Sequence, residues 1–398
     1  MTTAVYFFAV PAATYLTLVA AGAVGFRRTG MAVPSRGGDG SLPSVSVVIP
    51  ARNEEGAIRA CIESVLANEY PDDRLEVIVV DDGSEDRTPV IVRQMAGRRR
   101  RAAAGYEPDE TGLNAGGEIL RLVNVSHDPD QRIAHKKEAL RRGVEASRGR
   151  IILTTDADCR VEPTWIRAMV DRFDDDTGMV TGPVLYRRDG SFFGDVQALE
   201  FLGLVALGGG LAAVGRPHLC NSANLAYRRE VYEEIGGYEE LGHVSTGDDE
   251  MLMHRVAFDT SWKVRTCMQA EAVVETEANQ SLKEFFQQRR RWASAHARYP
   301  HVHLVVISVL CYIFYVGLAG GLAAALFWPD VRGIVALSFV LKGAIEASLL
   351  VPASTRFERT ALMRLFIPAQ FLQIIYVLVI GVAGTFGSYE WKGRRVPR

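Results

Sequence analysis

Val45-Ser46-Val47-Val48-Ile49-Pro50 has the length and apolar character of a buried strand, and residues 54–68 after it carry Ile58, Cys61, Ile62, Val65 and Leu66 at helical spacing. The alternation continues along the chain. Leu75–Val80, Ile119–Val125, Ile151–Thr155 and Met179–Val184 read as further buried strands, with helical stretches at 136–148 and 163–173 between several of them. Strands apolar on both faces and separated by helices predict a parallel sheet covered by helices. Ser44 to Pro300 is therefore read as a soluble α/β domain. Within it, residues 97–118, with Arg98 to Arg101, lack periodicity and predict a solvated loop. The apolar, glycine-rich segment Phe192–Gly215 reads either as a lipid contact or cover over the site, or as an ordinary core element.

Of the 398 residues, 48% are hydrophobic and 23% charged, with 45 basic against 47 acidic side chains. That apolar content excludes a disordered or collagen-like chain, and the near-neutral balance argues against nucleic acid as a partner. The apolar residues concentrate at the two ends. Residues 1–26, Leu304–Phe327 and Leu365–Tyr389 carry no charged side chain, and Gly333–Ala353 carries only Lys342 and Glu346, spaced to pair on one helix face. Each run is long enough to cross a bilayer. The sequence divides into an N-terminal transmembrane anchor (1–28), the soluble α/β domain (44–300), a C-terminal transmembrane region (301–390) and a basic tail (391–398).

No basic residue precedes the first apolar run and Arg27-Arg28 follow it, which predicts a retained anchor rather than a cleaved signal peptide. The same arginines predict a multi-pass protein of the cell (inner) membrane with its middle domain in the cytoplasm. Arg356, Arg359 and Arg364 agree with a cytoplasmic loop, but three C-terminal crossings would put Lys392-Gly393-Arg394-Arg395 outside. Either one run is re-entrant or interfacial, or the tail breaks the positive-inside bias. The five cysteines are scattered, with no zinc-type spacing, and predict reduced thiols.

Ligands of open α/β sheets bind beyond the carboxyl ends of the strands. Asp81-Asp82-Gly83-Ser84 follows one strand, with a glycine suited to a tight turn, and Asp156-Ala157-Asp158 follows another. Two carboxylates one residue apart are hard oxygen donors that suit Mg2+ or Mn2+ bridging a diphosphate; alone, such a pair reads first as a helix cap or a solvated turn. Gly247-Asp248-Asp249-Glu250 precedes a helical stretch, and Gln287-Gln288-Arg289-Arg290-Arg291-Trp292 precedes the membrane region. Singly these read as a helix start and a membrane flank. Together they supply a metal site, a base and a diphosphate clamp.

In that order the motifs resemble a membrane-integrated family 2 glycosyltransferase with a GT-A catalytic domain. Val47 to Glu54 resembles the opening nucleotide-sugar strand and turn, and Val79 to Ser84 the second motif, whose final acid contacts the uridine. His135-Lys136-Lys137-Glu138-Ala139-Leu140 resembles a Gly-Lys-x-x-Ala-Leu element, with His135 in place of Gly and Arg141 where Asn is common. Asp156-Ala157-Asp158 matches the metal motif, Asp248-Asp249 the pair carrying the base, and Gln287-Gln288-x-x-Arg291-Trp292 the Gln-(Gln/Arg)-x-x-Arg-Trp signature; Trp391-Lys392-Gly393-Arg394 is also typical. The resemblance implies a Rossmann-like mixed, mainly parallel sheet flanked by N- and C-terminal transmembrane helices. It implies Asp249, with Asp248, as catalytic residues. Asp158 and Asp156 would hold Mg2+ or Mn2+. Pro50, Ala51, Asn53, Glu54, Asp82, Lys136, Asp156, Gln287, Arg291 and Trp292 would bind the donor, with Trp292 flanking the acceptor.

Transfer from a nucleotide-diphosphate sugar builds charge on the leaving phosphates and needs a deprotonated acceptor hydroxyl, so the site requires a cation clamp and a carboxylate base. The expected activity is inverting transfer from a UDP-sugar in the cytoplasm to a membrane-embedded lipid or lipid-linked glycan. The alternative is a processive polysaccharide synthase, which in the family has more spans. A catalytically silent sugar-nucleotide-binding membrane module would lack the acids, and a sugar-nucleotide pyrophosphorylase suits neither the spans nor Asp248-Asp249.

Overall fold

β1 (Val45–Ala51), β2 (Leu75–Asp81), β3 (Leu120–Asn124) and β4 (Ile151–Thr154) form where the apolar runs predict them, and β1, β2 and β4 are buried almost throughout. The structure, a computed structural model, describes residues 2–30, 42–102, 119–125, 134–239, 247–296, 298–385, 389–391 and 394–396. Further along the chain lie β5 (Arg160–Val161), β6 (Thr177–Thr181), β7 (Val184–Arg187), β8 (Leu225–Arg228), β9 (Lys263–Thr266) and β10 (Val274–Glu277). The helices are α1 (Thr2–Arg28), α2 (Ile58–Leu66), α3 (Thr88–Ala102), α4 (His135–Ala146), α5 (Trp165–Val170), α6 (Phe192–Ala213), α7 (Arg229–Glu234), α8 (Asp248–Asp259), α9 (Leu282–His296), α10 (Val302–Phe327), α11 (Arg332–Arg356) and α12 (Phe366–Thr385). The chain ends in a hairpin of β11 (Tyr389–Trp391) and β12 (Arg394–Val396).

The chain divides into two units. The first, Met31–Leu185 with Cys220–Glu277, holds a seven-stranded sheet of order β3-β2-β1-β4-β8-β6-β9. β1 runs parallel to β2 and β4, β2 to β3 and β6 to β9, while β8 is antiparallel to β4 and β6. The sheet is mixed and mainly parallel, as expected. Val48, Ile78 and Val80 pack under Ala139, Leu140 and Val144 of α4, and Met251, Leu252 and Val256 of α8 close the same core. The register pairs Thr154 with Leu225, so β8 begins at the sheet edge where β4 ends.

Three sequence expectations change here. Met179–Val184 is two strands, because Gly182-Pro183 interrupts the run and proline has no N–H for a ladder. The loop expected from residue 97 is helical through Ala102, and residues 103–118 lie outside the described part. The basic tail is, in its described residues, a two-stranded hairpin.

The second unit is Met1–Gly30 with Tyr186–Leu219 and Ala278–Arg398, so Tyr186–Leu219 and Ala278–Pro300 group apart from the sheet rather than with the rest of 44–300. α6 explains the difference: a helix apolar on all sides buries among other apolar helices. α1 and α6 cross closely enough that a Cβ on Gly25 would overlap the Gly210 carbonyl. Five stretches, Phe8–Arg28, Phe192–Ala213, Val302–Phe327, Pro329–Arg356 and Thr360–Gly384, are long and apolar enough to cross a membrane. Lys342 and Glu346 pair at 2.8 Å, as their spacing predicts. Lys342 also donates to Gln370 (2.7 Å) and Gln373 (2.9 Å), and Glu346 accepts from Tyr15. These bonds satisfy the two charges inside an apolar bundle.

α10 runs antiparallel to α1, since Phe8 fills the space at Gly317 and Tyr15 stacks on Phe314 at 4.6 Å. Its first turn is thus level with Arg27-Arg28. Arg356, at the end of α11, donates to Phe26 O at 3.1 Å and marks the same level. α12 then runs beside α9. The Tyr376 ring is 5.8 Å from Phe285, Gly384 lies against Ala293, and β11 packs on α9. Because α9 leads into α10 within six residues, α12 ends near the start of α10. Cysteines placed at Arg28 and Arg398 in a cysteine-free background are therefore expected to react with a membrane-impermeant maleimide from one and the same face of sealed vesicles. Labelling from opposite faces would mean that α12 crosses.

Candidate active site

The turns after β1 and β2 are laced together. Arg52 donates to the carbonyls of Asp82 (2.8 Å) and Gly83 (3.1 Å). Asn53, in the left-handed region at φ 53°, donates its N–H to Ser84 Oγ at 3.0 Å and accepts from Glu85 N at 2.8 Å. Gly83 has φ 68°, which the tight turn demands. Ala51 O, next to Pro50, accepts from Asp82 N at 2.9 Å, and Glu54 N donates to Thr88 Oγ1 at 2.8 Å. Pro50, Ala51, Asn53 and Glu54 thus shape a strand-end turn in which the Asn53 side chain is already engaged. Asp82 is buried, with Oδ1 3.8 Å from His135 Nδ1 at the start of α4.

One turn end further along the sheet edge, Lys136 is the centre of a charged cluster. Its Nζ lies 2.9 Å from Asp156 Oδ1, 2.8 Å from Ser222 Oγ and 3.9 Å from Asp248 Oδ2. Burial works to lower its pKa, but Asp156, Asp248 and Asp249 together hold it above the ordinary lysine value. Ser222 is fixed from three sides: its carbonyl accepts from Thr154 (2.6 Å), its N–H donates to Asp249 Oδ2 (2.8 Å), and its hydroxyl takes Lys136. Asn224, two residues on, pins the turn by accepting from Trp165 Nε1 (2.9 Å) and donating to the carbonyls of Pro183 and Ala272 (2.8 Å each).

The acids divide into two kinds. Asp158 is exposed and Asp156 half-buried, one residue before it. Neighbouring Cys61 and Cys159 are held well above the ordinary thiol value by burial, then by Asp158 and Asp156, and stay protonated. Among the described residues no three metal-ligating side chains cluster. Two carboxylates beside protonated thiols suit a hard cation that completes its shell with phosphate and water, not a thiolate-bound metal. Asp249 differs. Besides Ser222 N it accepts Glu250 N at 2.9 Å, and burial, then Asp248, push its carboxyl up to about 6, against the pull of Lys136 and the two amides. A carboxyl tuned this close to neutrality is suited to proton transfer. Asp248 Oδ2 is buried without a hydrogen bond among the described residues.

Gln287, Arg291 and Trp292 lie on α9, in the other unit. There Trp292 stacks on Phe201 of α6 at 5.7 Å with the Arg289 guanidinium 4.2 Å from its ring, so it has a packing role that its sequence position did not announce. Gln288, next to Gln287, accepts from Tyr186 (3.0 Å) and Asn279 (2.9 Å). Ser222 and Asn224 were also missed. Their only signal is the polar Asn221-Ser222-Ala223-Asn224 before an apolar triplet.

The sequence pattern of glycosyltransferase like family 2 matches residues 43–295. The chain belongs to that family. Family relatives include a probable glycosyltransferase, YdaM, of Bacillus subtilis, 28% identical over 262 residues (63% of this chain, 55% of the relative). Others are a beta-monoglucosyldiacylglycerol synthase of Trichormus variabilis, 27% identical over 259 residues (64% and 49%), and a dodecaprenyl-phosphate galacturonate synthase of Rhizobium johnstonii, 32% identical over 164 residues (40% and 42%). The chain thus spans about half the length of the curated relatives it matches. Among solved structures, the mannosyltransferase PcManGT from Pyrobaculum calidifontis, in complex with GDP-Man and Mn2+, matches with a TM-score of 0.53 at 19% identity, covering 94% of this chain and 99% of that one. This family member has the GT-A fold.

The Asp249 carboxyl holds its proton more tightly when folded than when unfolded, where its value is about 4. Its contribution to stability is full below about pH 4 and is lost as pH rises through about 6. The melting-temperature advantage of the wild type over Asp249→Asn should therefore shrink between pH 4.5 and 7. A pH-independent difference would show that the folded Asp249 titrates at its ordinary value.

Proposed function

We propose that the protein is an inverting, metal-dependent glycosyltransferase of the inner membrane. It moves a sugar from a UDP-sugar in the cytoplasm to a hydroxyl of a membrane-embedded lipid or lipid-linked acceptor. The observation that carries this is the convergence of Lys136, Asp156, Ser222, Asp248 and Asp249 at one sheet edge, with one acid tuned to about 6. Two relatives whose names specify a lipid product support the acceptor class, and Arg27-Arg28 support the cytoplasmic orientation.

Asp82 and the Pro50–Glu54 turn would receive the nucleoside. Lys136, between Asp156 and Ser222, brings a positive charge to the diphosphate. By the family signature, Gln287 and Arg291 would bind the donor and Trp292 would flank the acceptor. Asp158 and Asp156 would hold Mg2+ or Mn2+, which when bound offsets the charge of the leaving phosphates. Asp249 accepts the proton of the acceptor hydroxyl as its oxygen bonds to the anomeric carbon and the sugar–phosphate bond breaks. The nucleotide diphosphate leaves from the opposite face, which inverts the anomeric centre.

Incubating the protein with labelled UDP-sugars and membrane lipid should give a lipid-soluble product and no polymer, and activity should vanish in excess EDTA. Asp249→Asn should cut single-turnover transfer by about 10² or more with UDP affinity nearly unchanged, while Asp158→Asn should lose both transfer and Mg2+- or Mn2+-dependent UDP binding. Full activity in EDTA, or Asp249→Asn turnover within a few-fold of wild type, would refute the assignment.

A further inference from the structure

α6 is an apolar helix with a carboxylate, Glu200, well inside it, and a charge in such a helix calls for a reason. Glu200 Oε2 receives Arg289 Nη2 of α9, and its Oε1 receives the Tyr376 hydroxyl of α12 at 2.6 Å. Arg289 is only 3% exposed. Its guanidinium lies 5.0 Å from the Phe285 ring centroid and 4.2 Å from that of Trp292. Among the described residues its Nε and Nη1 make no hydrogen bond, so the aromatic rings are their surroundings. Trp292 in turn stacks on Phe201, which stacks on Tyr186 at 4.5 Å.

Helix periodicity gives these contacts a direction. Phe285, Arg289 and Trp292 share one side of α9, whereas Gln287 and Arg291, two residues before and after Arg289, sit roughly 160° around the axis. Apolar packing tolerates a helix turning about its axis. A single buried guanidinium that must meet a single buried carboxylate does not, and fixing register is the best-attested use of such pairs.

We propose that Glu200 is a positioning residue that sets the rotation of α9, and thereby the presentation of Gln287 and Arg291 to the donor diphosphate. The proposal rests on the donor role given to α9 above.

The test measures UDP affinity in Mg2+ and melting temperature for the full-length protein and for Glu200→Gln, Arg291→Ala and the double variant. Rotation control predicts that Glu200→Gln, assayed well below its melting temperature, weakens UDP binding by about tenfold. It also predicts that adding Glu200→Gln to Arg291→Ala costs no more than about a further twofold. Glu200→Asp should recover part of the loss. Should Glu200→Gln not fold, Tyr376→Phe, which removes one bond to the same carboxylate, is expected to weaken UDP binding in the same direction by a few-fold. Glu200→Gln, or in its stead Tyr376→Phe, with wild-type UDP affinity beside a weakened Arg291→Ala would overturn the clamp alone. So would a double variant showing the full product of the single losses. An Arg291→Ala protein that binds UDP normally removes the donor role of α9 and the proposal with it.

Discussion

Three carboxylates, Asp156, Asp248 and Asp249, act on one ammonium group, and the site depends on that charge. Without Lys136 the three negative charges would repel one another at a half-buried sheet edge. With Nζ at 2.9 Å from Asp156 and 3.9 Å from Asp248, the cluster holds together with its acids available. The lysine sits there because it begins α4, whose Leu140 and Val144 are buried against β1 and β2. Core packing therefore sets the position of the charge.

The same arrangement separates the acids by environment rather than by residue type. Asp158 is open to solvent beside thiols that stay protonated, where its carboxylate can meet a hard cation. Asp249 is drawn in by Ser222 N, shielded from water and set beside Asp248, which lifts it to about 6. Two aspartates in such different surroundings on one sheet edge can divide metal binding and proton transfer between them. The antiparallel strand β8 makes this possible, because it delivers Ser222 to the point where β4 delivers Asp156.

Much of this could be read in advance. The strands β1, β2 and β4 declare themselves as apolar runs because both of their faces are covered, and the turns after β2 and β4 carry Asp82, Asp156 and Asp158 where sheet geometry puts ligands. Lys136, Asp156, Ser222, Asp248 and Asp249 come together, four of them named from sequence. Ser222 was not, because a serine in a short turn has no periodicity and gains meaning only from the antiparallel pairing of β8. The Asn53 side chain accepts Glu85 N and so helps join the turns after β1 and β2, a role its sequence position does not show. The grouping of α6 with α1 was invisible for a different reason: an apolar helix shows what it avoids, not which apolar partner it chooses. Gly25 against Gly210 settles that only in three dimensions.

If a lone carboxylate base drives direct displacement, the configuration of the product records it. The most direct measurement is the proton NMR coupling at the anomeric carbon of the sugar transferred from an α-linked UDP-sugar. Direct displacement with Asp249 as base gives a β-linked product in a single step. An α-linked product would require a glycosyl-enzyme intermediate or a front-face path, and would contradict the account.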